Sequence, residues 1–464
     1  MKCQDIVRLF FVSACFCLIS SGVWAQQGGS PFATPPGLGH AQPCLDPEKM
    51  PSQAKVPCAG ILLFSESTSK QDRAAFTKKQ GVFLRYNYSL VSATAILVED
   101  TKSLAELARS KEVKLIPDRA VNYLAKPDRP PGKGKKDPPA SGQITPSGVA
   151  RIGSEPGKLS VNGAGVGVAV LDTGLDSEHG DLLASGSCFT AFASCQDGDG
   201  HGTHVGGIIA ALDNTQDTVG VAPGSTPYAV KVLDDSGSGS DSTIMAGLEW
   251  TALNANSVSP KIKVANMSLG RPGTLDDNPA LRAMVQAVKD QGIAIIVAAG
   301  NDARLEITQR VPASYPEVMA VASTTAEDGS NNRCRVFSGT ILADTASYFT
   351  TDGAGVTISA PGNRAENISR SCHVRSEGIL SLKAGGGTTR LSGTSMSAPH
   401  VAGVAALMIE KAGGTLDPEL ARSIIKLTAD RLGTAPLDSP VSSYTFDGEH
   451  EGTVSACRAL NESC

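Results

Sequence analysis

One stretch, residues 391–408 (LSGTSMSAPHVAGVAALM), constrains the fold more than any other part of the chain. Its first half is small and polar, and its second half is apolar enough to form a buried helix. The glycines at 413 and 414 offer an end for this helix, and four hydroxyl residues are candidate N-caps: Ser392, Thr394, Ser395 and Ser397. Ser395 then lies in or just before the first turn, where free N–H groups favour an anion and suit a nucleophile. Taken alone, it is more simply a serine that caps a core helix.

Two further segments carry the groups that a serine nucleophile needs. Residues 166–176 (VGVAVLDTGLD) have the pattern of a buried parallel strand that leads to Asp172, and residues 199–207 (DGHGTHVGG) form a glycine-rich entry into a helix. A hydroxyl is a weak nucleophile at neutral pH, so Ser395 needs an imidazole base and a carboxylate that fixes the tautomer of that base. The chain order Asp, His, Ser is that of subtilisin and excludes the orders of α/β-hydrolases and chymotrypsin-like enzymes.

Together these segments resemble the subtilisin-like serine peptidases, the subtilases. The resemblance implies that Ser395 attacks the peptide carbonyl, His201 takes and returns the proton, and Asp172 orients the imidazole. It also implies that His204, the second histidine of HGTH, packs inside the following helix. A transition-metal site on this histidine pair is the alternative, but the chain lacks the second-helix glutamate of the zincins.

The same resemblance assigns residues around the reacting carbonyl. Asn301 would donate its side-chain amide to the developing oxyanion, together with the backbone N–H of Ser395, although alone it could equally be a turn asparagine. Two segments would hold an extended substrate as an added strand. The expected substrate-binding residues are Gly237, Ser238, Gly239, Ser268, Leu269 and Gly270. Residues 310–315 (RVPASY) align with the far wall of the pocket for the P1 side chain, which precedes the cleaved bond. The sequence leaves open whether Arg310 points into that pocket, so the P1 preference is undetermined.

A structural calcium ion is also implied by the resemblance, and no catalytic cofactor is expected. The loop 212–218 (LDNTQDT) matches the length of the family's high-affinity site, and its oxygen atoms suit a hard cation. The expected ligands are Gln143, Asp181, Leu212, Asn214, Gln216 and Thr218. Without the resemblance, a solvated acidic loop is the simpler interpretation.

The N-terminal part of the chain divides by composition. Residues 1–25 have the charged start, apolar run and small-residue end of a secretory signal, and residues 26–59 are expected to be disordered. Residues 60–124 show the βαββαβ pattern of a ferredoxin-like motif, which resembles the inhibitory propeptide of subtilases. By pattern alone, a small regulatory or ligand-binding domain fits equally. Residues 125–142 form a Pro-, Gly- and Lys-rich linker that should contain the processing site, and residues 143–464 form the peptidase domain.

Beyond the linker, short apolar strands alternate with helical stretches. Such a pattern implies a parallel sheet that is covered on both faces. The expected fold is α/β, a subtilisin-like three-layer αβα architecture with a mainly parallel sheet, preceded by a small α+β ferredoxin-like propeptide. The predicted strands of the sheet are residues 166–171, 228–233, 264–268, 293–298 and 318–322.

The cysteines support export. Three of the 11 lie in the predicted signal, and the even remainder implies disulfides in an exported chain. Proximity in sequence suggests Cys188–Cys195, Cys334–Cys372 and Cys457–Cys464, with Cys44–Cys58 as a further staple. Other connectivities remain open.

These observations predict a secreted serine endopeptidase that forms an acyl-enzyme and is made as an autoprocessed preproprotein. Its expected partners are polypeptide substrates and its own propeptide, which would act as an intramolecular inhibitor and chaperone. The net charge of −5 gives no reason to expect a nucleic acid, and we expect a monomer that leaves the membrane once the signal is removed. The extracellular space is the expected location, with the periplasm as the alternative. Two other functions stay open: an inactive binding protein of the same fold, and an esterase or transacylase on this scaffold.

Overall fold

The computed structural model describes residues 42–44, 56–124, 126–127, 142–337, 339–430 and 451–464. The predicted signal at 1–25 and most of the expected linker lie outside the described residues. Among the described residues, no helix combines the length and the apolar character that crossing a membrane requires.

The first part of the structure is a five-stranded sheet with two helices. Its elements are β1 (Gln42–Pro43), β2 (Cys58–Leu63), α1 (Lys70–Lys79), β3 (Phe83–Asn87), β4 (Ala93–Val98), α2 (Thr101–Arg109) and β5 (Lys114–Pro117). Strand β2 pairs antiparallel with both β4 and β5, and β3 pairs with β4. Alternate residues of β2 face opposite sides, so Leu62 packs under the two helices while Ile61 packs against the larger body. The first sheet is therefore held between its own helices and the rest of the chain.

Two short strands follow, β6 (Ala120–Tyr123) and β7 (Lys126–Pro127), and both pair with the larger body. The remaining elements up to β15 are α3 (Ser147–Arg151), β8 (Gly167–Asp172), β9 (Phe189–Thr190), α4 (His201–Ala210), β10 (Thr226–Lys231), β11 (Ser238–Ser240), α5 (Asp241–Asn254), β12 (Ile262–Met267), β13 (Leu269–Pro272), α6 (Pro279–Lys289), β14 (Ala294–Ala298) and β15 (Arg310–Val311). They are followed by β16 (Met319–Thr325), β17 (Val356–Asn363), β18 (Ala365–Ile368), β19 (Val374–Glu377), β20 (Ile379–Leu382), β21 (Thr388–Ser392), α7 (Thr394–Lys411), α8 (Pro418–Leu427) and α9 (Ala456–Ala459).

The central sheet has seven strands in the order β17-β16-β14-β12-β8-β10-β9, all paired in parallel. In β8, Ala169 and Leu171 pack on the face covered by α5 and α6, while Val168 and Val170 pack on the face covered by α4 and α7. Burial on both faces explains why these strands are almost continuously apolar. The predicted three-layer α/β fold is confirmed. The five predicted strands are present with ends shifted by a few residues, and β17 was missed because Thr, Ser, Pro and Gly interrupt its apolar pattern.

The N-terminus of α7 differs from the prediction. Its N-cap is Gly393, with φ 148°, and no side chain caps the helix, so none of the four hydroxyl residues proposed as caps has that role. The amide of Thr394 instead donates to Oδ1 of Asn301, a residue distant in sequence. The helix ends as predicted, because Gly413 and Gly414 adopt positive φ and their amides donate to the last turn.

All four suggested disulfides are present: Cys44–Cys58, Cys188–Cys195, Cys334–Cys372 and Cys457–Cys464. Three of them close short loops, with separations of 7, 7 and 14 residues, whereas Cys334–Cys372 spans 38 residues. The Cys188–Cys195 bridge closes the loop that leads to the start of α4.

Two histidines are completely buried in the central helices. In α4, Nε2 of His204 donates to the carbonyl oxygen of Ile379 at 3.1 Å, and in α7, Nδ1 of His400 donates to that of Met396 at 2.7 Å. Burial disfavours the charged imidazolium, and it lowers the pKa of His204 to about 3 and that of His400 to about 4. Both side chains are therefore neutral in the folded protein at neutral pH.

We predict that these histidines destabilise the fold in acid. In the unfolded chain they take up protons below about pH 6.5, so the stability that they contribute is complete above that pH and is lost as the pH falls toward 4. Each adds a slope of up to about 1.4 kcal/mol per pH unit. Calorimetric unfolding at stepped pH should show a shallower loss in His400→Gln, whose amide can still donate to Met396. Equal slopes in the two proteins would contradict the assignment.

Candidate active site

The three predicted triad residues lie at the carboxyl edge of the central sheet. Asp172 is the last residue of β8, His201 is the first of α4, and Ser395 is the second of α7, and all three are almost completely buried. Nδ1 of His201 donates to Oδ1 of Asp172 at 2.7 Å, and the amide of Thr173 donates to the same oxygen. This geometry holds the imidazole with Nε2 directed away from the carboxylate.

Ser395 does not form a hydrogen bond with His201. Its hydroxyl donates to the carbonyl oxygen of Ser268 at 2.9 Å, and Nε2 of His201 has no partner in the described part of the chain. A rotation about the Cα–Cβ bond of Ser395 redirects this hydroxyl, and catalytic hydrogen bonds commonly form only when the reacting groups are aligned.

Two consecutive residues of the N-terminal part contact both groups. The ring of Tyr123 stacks on that of His201, with centroids 4.2 Å apart and planes 9° apart. The carbonyl oxygen of Leu124 accepts from Nδ2 of Asn301 at 2.5 Å and from the amide of Ser395 at 3.2 Å. The two donors that were predicted for an oxyanion therefore both meet the carbonyl of one peptide bond.

Strand β6 lies between the two predicted substrate edges and pairs antiparallel with each. Asn122 is opposite Ser238 in β11 and opposite Gly270 in β13, and Tyr123 is opposite Leu269. The amide of Leu124 donates to the carbonyl of Ser268, and that of Tyr123 to the carbonyl of Gly237. On the other side of Leu124, β7 pairs with β21. The chain is thus held by main-chain pairing on both sides of the bond that follows Leu124.

Glycine is needed where β6 passes closest to the first edge. Gly237 has φ 77°, and a Cβ at this position would lie 2.1 Å from the ring of Tyr123. At Gly239, a Cβ would lie 2.3 Å from the carbonyl oxygen of Val232. Any larger residue at either position would displace the paired strand or the edge itself.

The second edge is tied to the helix that carries Ser395. Pro399 has no N–H to donate to the carbonyl of Ser395, four residues earlier in α7, and the hydroxyl of Ser268 donates to that carbonyl instead at 2.9 Å. Oδ1 of Asn301 accepts from both the amide and the hydroxyl of Thr394, which directs Nδ2 toward Leu124. These contacts fix the relative positions of Ser395, the edge 268–270 and Asn301.

Sequence reasoning missed the structural role of Asp197. Its carboxylate accepts five hydrogen bonds, from the hydroxyls of Thr173 and Thr203 and from the amides of Asp199, Gly200 and Thr203. Thr173 follows the triad aspartate, and Gly200 precedes the triad histidine. Asp197 therefore joins the loop before His201 to the turn after Asp172. The acidic DGDG run before the HGTH motif was the available signal.

A second missed residue, Asp118, lies between the first sheet and the larger body. Its carboxylate accepts from the amide of Ser242 at 2.9 Å and from the hydroxyls of Ser242 and Ser240, at the N-terminus of α5. Nearby, the hydroxyl of Tyr88 donates to the carbonyl of Ser242. Burial raises the pKa of Asp118, and the charge of Arg85 opposes that shift. The N-terminal part is thus anchored to a helix beside the first substrate edge.

The six predicted calcium ligands meet in one surface patch. Nε2 of Gln143 donates to the carbonyl of Leu212 at 2.6 Å and to that of Thr218 at 3.4 Å, and Nδ2 of Asn214 donates to Oδ1 of Asp181 at 2.6 Å. The amide of Thr218 donates to Oδ2 of Asp181, and that of Gln216 to Oδ1 of Asn214. Burial raises the pKa of Asp181, and hydrogen bonds from Thr218 and Asn214 oppose the shift.

These residues fit a hard cation. A half-turn of either side-chain amide exchanges its nitrogen and oxygen, and hydrogen bonding alone decides between the two orientations. After that exchange, amide, carbonyl and carboxylate oxygens face one another, an arrangement that calcium stabilises. No group of three or more His, Cys, Asp or Glu in the described ranges is arranged to hold a metal, so a site here would depend mainly on neutral oxygens.

The fold is similar to that of a solved structure. The structure of fervidolysin from Fervidobacterium pennivorans, described as a keratinolytic enzyme related to subtilisin, aligns with a TM-score of 0.64 at 21% identity. The alignment covers 89% of this chain and 62% of that one, so the chain spans less than two thirds of the length of that structure.

Sequence comparison identifies the family. M-protease of Shouchella clausii (strain KSM-K16) is 39% identical over 298 residues, which are 64% of this chain and 67% of that protein. Subtilisin Savinase of Lederbergia lenta is 38% identical over 64% of this chain and 95% of its own length. The profile of the subtilase family matches residues 163–443. The chain belongs to the subtilase family and is a serine endopeptidase.

Proposed function

We propose that the chain is made as an exported precursor that cleaves itself after Leu124, using Asp172, His201 and Ser395. One observation carries this proposal: the carbonyl oxygen of Leu124 accepts hydrogen bonds from both predicted oxyanion donors. The flanking strands β6 and β7 pair with the larger body on either side, as a bound substrate would. The linker 125–142 was predicted to contain the processing site, and this geometry favours cleavage at its first bond, between residues 124 and 125.

The proposed reaction uses groups that are already in place. The hydroxyl of Ser395 turns from Ser268 toward Nε2 of His201, gives up its proton there and bonds to the carbonyl carbon of Leu124. The oxygen becomes an anion that the amide of Ser395 and Nδ2 of Asn301 stabilise. When the C–N bond breaks, His201 returns the proton to the departing amine. A water molecule then attacks the acyl-enzyme with His201 as base, which frees Ser395 and leaves Leu124 with a new carboxylate.

Asp172 holds the positive imidazolium that appears in both halves of this reaction. It accepts from Nδ1 of His201, so Nε2 carries no proton in the neutral ring and is the basic nitrogen. The presence of all these groups argues against the alternative of an inactive binding protein. An esterase or transacylase would share them, and comparison of turnover on matched peptide and ester substrates separates those functions.

The residues before Leu124 would inhibit the mature enzyme after the cut. Strand β6 occupies both substrate edges, and Asp118 and Tyr88 anchor the preceding sheet to α5. Glu249 in α5 also accepts from the amides of Ser89 and Leu90. The same contacts would let the N-terminal part act as a folding template. The predicted signal and the four disulfides support export.

We also propose that Gln143, Asp181, Leu212, Asn214, Gln216 and Thr218 hold a structural calcium ion. The ion would tie residue 143, near the start of the mature chain, to the loop 212–218. It would have no part in peptide cleavage. Polypeptides would be the substrates, and the enzyme would work as a monomer.

The first prediction concerns processing. Ser395→Ala should be exported and folded but should accumulate as a precursor, whereas the wild type should yield a mature chain that begins at residue 125. Because the bond is held within the same molecule, its cleavage rate should not depend on protein concentration. Mass spectrometry and N-terminal sequencing after expression in a protease-deficient host measure both outcomes.

A matched control is Ser397→Ala, a buried serine two residues further along the same helix that has no proposed role. It should be processed normally. Normal processing of Ser395→Ala in that host would refute self-cleavage by this serine. Wild-type cleavage at a distant bond would instead refute the assignment of Leu124.

The second prediction concerns calcium. A cation that binds only the folded state stabilises it by mass action, by about 2.7 kcal/mol when its concentration is 100 times the dissociation constant. A chelator should therefore lower the thermal midpoint of the mature wild type, and Asp181→Ala should lose this response. Asp213→Ala removes a carboxylate from the same loop that is not a proposed ligand, so it should keep the response. If the wild-type midpoint is the same with and without chelator, the site does not bind calcium.

A further inference from the structure

The side chain of Leu124 lies in a pocket with three walls, which we call the P1 pocket. One wall is the edge 268–270: a Cβ at Gly270 would lie 3.3 Å from Cδ1 of Leu124 and 3.1 Å from the carbonyl oxygen of Val311. The second is β15, where Arg310 and Val311 pair with β13. We assign as the third wall the segment before Asn301, because Asn301 binds the carbonyl of Leu124.

The side chain of Arg310 reaches across to this third wall. A Cβ at Gly300 would lie 3.0 Å from Nε of Arg310, so this nitrogen occupies the space that a side chain at position 300, directly before Asn301, would need. Arg310 is only 8% exposed. The charged group therefore lies at the boundary of the P1 pocket, between the two segments that hold the reacting carbonyl and its side chain.

This guanidinium has no hydrogen-bond or ion-pair partner among the described residues, and its Nε is completely buried. The other two arginines that are buried in the described part of the chain are well paired. Arg271 binds Asp241 and Asp277, and Arg73 donates to Asn87 and to two carbonyl oxygens. A buried donor without a partner is unfavourable, and the two terminal nitrogens, which are not fully buried, are open to an acceptor that a substrate in this pocket would supply.

No neighbouring charged group in the described ranges supplies such an acceptor for Arg310. Burial lowers the pKa of Arg310, and the charge of Asp302 partly opposes the shift. Asp302 forms no ion pair with Arg310, and one of its carboxylate oxygens accepts from the amide of Arg304. Thr351, also packed at Gly300, donates its hydroxyl to the carbonyl of Asp302.

We propose that Arg310 is a specificity-determining residue that selects substrates with a carboxylate side chain, glutamate or aspartate, at P1. The proposal rests on the proposed peptidase function of the same site. A guanidinium offers five N–H donors in a plane that matches a carboxylate. Glutamate is favoured over aspartate, because its carboxylate extends one bond beyond the terminal carbons of leucine at position 124 and so comes closer to the pocket wall.

Leucine at position 124 is compatible with this preference. It fills the apolar part of the P1 pocket but gives the guanidinium no acceptor. The precursor presents the bond after Leu124 at high effective concentration, so the first cleavage does not require the preferred side chain. A free substrate has no such tether, and for it the contact with Arg310 matters.

The kinetic test uses three chromogenic peptides that are identical except for glutamate, glutamine or leucine at P1. The mature wild type should cleave the glutamate peptide with a kcat/KM at least about tenfold above that for its neutral isostere, because the hydrogen bonds to glutamate are charge-assisted. In Arg310→Met, which keeps an unbranched chain without the charge, that ratio should fall to about one or below. The leucine peptide gives the guanidinium no acceptor, so each enzyme's turnover of it is the reference by which its glutamate and glutamine values are divided.

A glutamate-to-glutamine ratio of one or less in the wild type would overturn the proposal. So would an unchanged ratio in Arg310→Met. If the arginine stem only shortens the pocket, the wild type should favour alanine at P1 and Arg310→Gly should gain activity on phenylalanine without any effect on the glutamate ratio. That result would also overturn the proposal. If no peptide is cleaved, the peptidase function fails, and the next experiment still decides the role of Arg310.

That experiment needs no catalysis, because the precursor itself places residue 124 in the P1 pocket. The full chain carrying Ser395→Ala is combined with Leu124→Glu or Leu124→Gln, each with and without Arg310→Met. With Arg310 present, the Leu124→Glu chain should unfold at a higher temperature than the Leu124→Gln chain at pH 8. With Arg310→Met, the order should reverse, since the carboxylate is then buried without a partner. The same order in both backgrounds would show that Arg310 does not bind the side chain at P1.

Discussion

The first turn of α7 has no side-chain cap, and the rest of the active site depends on the N–H groups that are left free there. An ordinary cap would occupy the first amides of the helix with a hydroxyl or carboxylate of its own chain. Here Oδ1 of Asn301 accepts from the amide of Thr394. The amide of Ser395 is left for an oxygen outside the helix, which in this structure is the carbonyl oxygen of Leu124. The residue that replaces the cap is thus also the predicted second oxyanion donor, because one end of its side chain accepts while the other donates.

The predicted catalytic residues are held in position by hydrogen bonds from residues that have no predicted part in the reaction. Asp172 is held by the amide of Thr173, and Thr173 is held by Asp197, which also binds the loop before His201. Pro399 frees the carbonyl of Ser395, and Ser268 uses it to lock a substrate edge to the helix. Positioned dipoles of this kind need little rearrangement when charge develops, which is how they stabilise a transition state.

The sequence predicted those features that depend on local pattern. The parallel strands, the end of α7 at Gly413 and the disulfides all follow from periodicity, backbone preference or proximity in the chain. The triad and the edges were predicted by family resemblance, and their roles stay predictions, although the structure brings the residues together. The failures involve partners that are distant in sequence. The expected caps of α7 were displaced by Asn301, and β17 is a strand because β16 lies beside it, despite its proline and glycine.

The same limit explains why Asp197 and Arg310 could not be interpreted from the sequence. An acidic residue before a histidine is normally solvated, and only the fold shows that five donors converge on Asp197. The sequence pattern around Arg310 places this residue in the wall of the P1 pocket but does not show where its side chain points. The side chain lies beside residue 300, where only a glycine leaves room for it.

The proposed inhibition and the proposed selectivity would depend on different parts of residues 120–124. Strand β6 is held through its main chain by β11 and β13, and main-chain pairing is nearly independent of side-chain identity. Asp118 and Tyr88, which lie outside the substrate edges, add hydrogen bonds to α5 that would increase the affinity for the cleaved N-terminal part. The side chain at position 124 therefore does not need to be the best ligand of the P1 pocket. Nε of Arg310 has no partner in the described residues, and under our proposal the guanidinium would discriminate among substrates that lack these additional contacts.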